Sequence, residues 1–196
     1  MKRIHRTHRF MTTVALATMV IMTTISAGQA ADDTIAPRYA LTGNFATSYS
    51  PGNDIQFMQI SAAALYDYDQ VWPHHAPEPL RFKIEASAGL ANIAGTSGNR
   101  AVASANMLAL YFIDPLTTTR VRPYVEAGIG IIYTDYQIND QGLRVNFNPQ
   151  LGIGSEINLN GTPYFVAARL HHISNGGLDD DNRAINSLML QIGQFF

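Results

Sequence analysis

The feature that most restricts this chain is an alternation of apolar and polar residues, repeated along almost its whole length. In residues 80–92, Leu80, Phe82, Ile84, Ala86, Ala88 and Leu90 share one face, and Arg81, Lys83, Glu85, Ser87 and Gly89 share the other. Residues 145–158 set Phe147, Leu151, Ile153 and Ile157 against Asn146, Asn148, Gln150, Glu156 and Asn158. In residues 121–134, Val125, Ala127, Ile129, Ile131 and Tyr133 oppose Arg122, Glu126, Gly128 and Gly130. Successive side chains of a strand point to opposite faces, so a period of two specifies a sheet with one apolar face. Turn-forming clusters divide the chain into eight such runs, near 38–49, 55–68, 80–92, 100–113, 121–134, 145–158, 163–174 and 186–196.

Two closed sheets fit this pattern. A soluble lipocalin-like barrel would turn the apolar face inward and leave the charged faces of the third and fifth runs in water. An outer-membrane barrel would turn the apolar face to lipid and fill its interior with the polar one. The polar face carries both signs in a form suited to a narrow interior: Arg81, Lys83, Glu85, Arg122, Glu126, Glu156 and Arg169. Gly89, Gly128, Gly130, Gly152 and Gly154 on that face make room for them. Leu188, Leu190, Ile192 and Phe196 alternate to a terminal aromatic, interrupted by Gln194, like the C-terminal signal of outer-membrane barrels. The expectation is therefore an all-β, eight-stranded antiparallel outer-membrane β-barrel.

Residues 1–30 read as a signal peptide. Lys2, Arg3, Arg6 and Arg9 precede an apolar, Thr-rich run from Met11 to Ile25, and Gly28-Gln29-Ala30 offers a cleavage site. An uncleaved anchor is the weaker alternative, because a spanning helix needs about 20 mostly apolar residues. The barrel domain is then 31–196, exported to the outer membrane of a Gram-negative cell. With no cysteine, it gains nothing from disulfides. The net charge of −2 and the absence of a basic stripe exclude a nucleic-acid partner. An even strand number puts both termini on the periplasmic side. Connections 49–54, 93–99, 135–144 and 175–185 then face the exterior, and 69–79, 114–120 and 159–162 the periplasm. The 69–79 segment is long for a periplasmic turn. Its His74-His75 pair lacks further ligands at useful spacing, so it reads as a Pro-stiffened loop. No metal or cofactor is expected.

The last hairpin, Arg169 to Phe196, departs from the default pattern. Arg169 belongs inside with the other charges, so Leu170, His172, Ser174, Asn186 and Leu188 face lipid. A simple hairpin would set Ser174 opposite Asn186 and His172 opposite Leu188. Polar groups on a lipid-facing wall cost free energy unless partnered, and such departures mark function. An imidazole two residues along a strand face reaches a serine hydroxyl and can accept its proton. Asn175, with the N–H groups of the turn that follows at Gly176, is placed to stabilise an oxyanion. At this depth the site would meet the ester-linked acyl chains of outer-leaflet lipid. The bland reading is an interfacial pair hydrogen-bonded to headgroups.

The run HISNGGL, followed by a polar loop and a strand to a terminal aromatic, resembles the lipid A 3-O-deacylase (PagL) family over about 170–196. The resemblance implies an eight-stranded barrel with a Ser–His–acid triad on its lipid-facing wall, acting on lipid A. It makes His172 the base, Ser174 the nucleophile and Asn175 an oxyanion-hole contributor. The third member in the family is a glutamate at the start of the last strand; this chain has Asn186 there. Three readings stay open: Asn186 orients His172, one of Asp179, Asp180 and Asp181 supplies the charge, or the barrel has lost catalysis and keeps a lipid-binding or structural role. The resemblance also leaves a homodimer open.

Overall fold

The computed structural model describes residues 36–52 and 54–196; the expected signal peptide lies outside the described residues. Among the described residues nine strands form: β1 (Arg38–Ser50), β2 (Ile55–Asp67), β3 (Leu80–Ile93), β4 (Arg100–Phe112), β5 (Val121–Thr134), β6 (Val145–Phe147), β7 (Gln150–Leu159), β8 (Thr162–Ile173) and β9 (Ile185–Phe195). Each neighbouring pair is antiparallel, and β9 closes on β1. β6 and β7 both pair with β5, so together they make one wall of a closed, eight-stranded barrel. The sixth run of the sequence is split at Pro149, which has no N–H to give the ladder. Asn148 still exchanges backbone hydrogen bonds with Gly130 (2.9 and 3.1 Å), and the Pro149 carbonyl accepts the His172 N–H at 3.1 Å.

The barrel is apolar outside and polar inside. Leu41, Ile60, Met107, Ile129, Ile153 and Leu190 are exposed on the outer face, while Asn44, Ser61, Asn106, Gln150 and Gln191 are buried within. That order excludes the soluble alternative, in which water would meet the apolar wall. At mid-height the interior is filled by ions. Arg169, wholly buried, donates to both Glu85 oxygens at 2.8 and 3.1 Å and to both Glu126 oxygens, and Lys83 Nζ donates to Glu126 at 2.8 Å. Two cations thus neutralise two carboxylates where neither sign could remain alone. Gly152 makes this possible, since a Cβ there would lie 2.8 Å from Arg169 Cγ.

Apolar layers close the interior above and below the ions. Leu65, Leu110, Phe112, Tyr124, Phe165 and Phe195 pack at the end carrying the termini; Ile55, Phe57, Val102, Ile132, Ile173 and Met189 pack at the other. The inward face of the strands therefore carries large apolar side chains at both ends as well as the polar ones. Near the terminal end, Arg38–Glu156 (2.9 Å), Arg81–Asp67 (2.8 Å) and Arg122–Asp114 (3.2 Å) form further ion pairs.

Candidate active site

β8 and β9 set the geometry. His172 lies directly opposite Asn186, and Leu170 opposite Leu188. This corrects the simple-hairpin register, which put Ser174 opposite Asn186 and His172 opposite Leu188. Ser174 has left β9. It bridges Phe147 of β6 instead, accepting the Phe147 N–H at 2.8 Å and donating its own N–H to the Phe147 carbonyl at 3.2 Å. The next N–H, of Asn175, is taken by Asn182 Oδ1 at 2.8 Å, so the loop opens one pair earlier than a tight hairpin would.

The shift brings the three polar residues into one chain. His172 Nδ1 and Asn186 Oδ1 are 2.5 Å apart, and His172 Nε2 and Ser174 Oγ are 3.0 Å apart. An amide oxygen can only accept, so Nδ1 carries the proton and Nε2 offers its lone pair to the serine hydroxyl. That is the tautomer a general base needs. All three side chains are half-buried, while His171, Ile173 and Ser187, the alternate residues, are buried inside. His171 makes its own contact with Ser187 at 3.1 Å, a second histidine–serine pair sealed within the barrel. Strand parity alone separates the two pairs.

No carboxylate pairs with His172 among the described residues. Asp179 instead accepts the Asp181 N–H at 3.0 Å, which closes a local turn. The residue on Nδ1 is Asn186, a neutral group that orients the ring but cannot balance an imidazolium.

Asn175 is wholly buried, and all its donors are engaged. Its N–H goes to Asn182, and its Nδ2 donates to the Asp181 carbonyl at 2.8 Å and the Gln141 carbonyl at 3.4 Å. Its Oδ1 accepts the Gly177 N–H at 2.8 Å. Asn175 therefore ties the 175–184 loop to itself and to the neighbouring 135–144 loop, to which Arg183 N–H also bonds through the Asp140 carbonyl (2.6 Å). Gly176 N–H, by contrast, has no partner among the described residues. Gly176 has φ +67° and its missing Cβ would lie 2.9 Å from the Phe147 ring, so the turn excludes other residues there. Asn182, Gln141 and Pro149 support the site without any sequence signal; each acts through one hydrogen bond to Asn175 or His172.

The fold and its lipid-facing polar chain define an outer-membrane β-barrel protein. The family model described as lipid A 3-O-deacylase (PagL) matches residues 58–194, which include His172, Ser174 and Asn186, and the chain belongs to that family. Among solved structures, it is similar to the outer membrane enzyme PagL, with 22% identity and a TM-score of 0.56 over 79% of this chain and 97% of that one. It is also similar to Neisserial surface protein A, with 16% identity and a TM-score of 0.54 over 81% of this chain and 94% of that one. At these identities both show the barrel fold. No curated protein matches the chain.

Proposed function

We propose that this protein is a serine esterase of the outer membrane that removes an ester-linked acyl chain from lipid A. The observation that carries the reading is the hydrogen-bonded run Ser174–His172–Asn186 on the lipid-facing wall, within a chain of the deacylase family. Ser174 Oγ attacks the ester carbonyl as His172 Nε2 takes its proton. The oxyanion that forms accepts a hydrogen bond from the open Gly176 N–H, which the Asn175 side chain holds in place. His172 then returns the proton to the departing sugar oxygen, leaving an acyl-serine. A water, deprotonated by His172, attacks the acyl-serine carbonyl; the fatty acid leaves and Ser174 regains its proton.

A second reading is a catalytically weak or inactive barrel that binds lipid or supports the membrane. Asn186 favours it, because the family's triad has an acid at that place. The two are separated by the mass of lipid A from a host expressing the protein. Loss of one acyl chain with the wild-type protein, and full acylation with Ser174→Ala at equal outer-membrane abundance, supports the esterase. Unchanged lipid A with folded wild-type protein in the outer membrane sinks it.

A further inference from the structure

We propose that the β2–β3 connection, residues 68–79, is a foot that docks into the phospholipid leaflet at the end of the barrel opposite the candidate site. Its occupant is the boundary between headgroups and acyl chains of that leaflet. The proposal is independent of catalysis.

The connection does not hang below the barrel mouth. Phe82 belongs to the outward, even-numbered face of β3, yet it is only 6% exposed. Its cover comes from the connection itself. Tyr68 and Trp72 both stand edge-on to the Phe82 ring, at 6.4 and 5.7 Å between centroids. A single helical turn, Tyr68–Val71, supplies this fold-back, and the His74 ring stands edge-on to Tyr68 at 5.2 Å. The far end is fixed too: Leu80 N–H donates to the Pro77 carbonyl (2.9 Å) and Phe112 N–H to the Pro79 carbonyl (3.1 Å). The segment is thus seated against the lipid-facing wall.

It presents apolar side chains beside the exposed polar ones of Asp69, Gln70, His74, His75 and Glu78, the mixture that suits a headgroup boundary. Val71 is 38% and Trp72 40% exposed. They stand beside an existing band of outward aromatics at the same end of the barrel. Tyr66 pairs with Phe82, Tyr111 pairs with Leu80, and Tyr39 pairs with Ala64 one outward position along. Tyr and Trp concentrate where one part of the ring can meet hydrocarbon and the other a headgroup. The wall beneath Trp72 is continuous with the face that meets lipid, so lipid is the partner that covers Val71 and Trp72 without a further protein.

Trp72 is the sole tryptophan of the chain, so its fluorescence reports the foot without mutation. The folded protein is placed in phosphatidylcholine–phosphatidylglycerol nanodiscs, which leave both membrane faces open. The expected result is blue-shifted emission, strongest quenching by lipids brominated near the carbonyl end of the acyl chain, and little quenching by iodide. Quenching by iodide but not by bromolipid would overturn the proposal and leave the foot in water, available to a protein partner. Quenching by neither, or strongest by bromines near the chain ends, would overturn it as well.

Discussion

Asn186 stands where a charge would help His172 most. Its Oδ1 already sits on Nδ1 at 2.5 Å, so Asn186→Asp would add a charge with no change of reach. In a serine triad the exchange of carboxylate for amide has cost about 10⁴ in kcat, which sets the ceiling of the reverse change. Asn186→Asp is expected to raise kcat for ester hydrolysis, and Asn186→Ala to lower it, because Nδ1 then loses the acceptor that fixes the tautomer. A fall in kcat with Asp would mean that the site is built around the amide. Much at this scale was legible in the sequence. Parity from Arg169 put His172, Ser174 and Asn186 on the lipid side, where the structure has them. The register was not legible, because the bonds that set it, Ser174 to Phe147 and Asn175 to Asn182, join residues with no local pattern.

Elements divide into those that carry the site and those that carry the barrel. The 175–184 loop depends on Asn175, whose removal takes away the partner of the Gly177 N–H and of the Asp181 and Gln141 carbonyls. Asn175→Ala is expected to cost about 1–3 kcal/mol in that loop. Amide hydrogen exchange at 176–182 should accelerate and ester hydrolysis fall, with the barrel strands still protected. The wall depends on the ion cluster that joins β3, β5 and β8. Glu126→Gln leaves Lys83 and Arg169 sharing one carboxylate inside the barrel, and is expected to cost about 3–5 kcal/mol in urea unfolding from lipid. Alternating charges in the third, fifth and seventh runs revealed this cluster. The apolar layers above and below it did not show, since Phe57, Phe165 and Phe195 sit at inward positions that the period assigns to polar residues. Large rings fill the barrel ends where the ions stop.

At the level of the whole molecule, the outer wall decides what solvent the protein accepts. Ile153 is 66% exposed, a harmless place for a lysine if water surrounded it. On a lipid-facing wall near mid-height, Ile153→Lys is expected to cost about 2–4 kcal/mol, measured by folding titrations into phospholipid vesicles. A neutral effect would reverse the inside-out assignment. The filled interior has a consequence of an electrical kind. An ion entering from either end would have to shed its hydration against Phe57 or Phe165 and then displace Lys83 or Arg169 from its carboxylates. The barrel is therefore an insulator: inserted in a planar bilayer under voltage, it should pass no current.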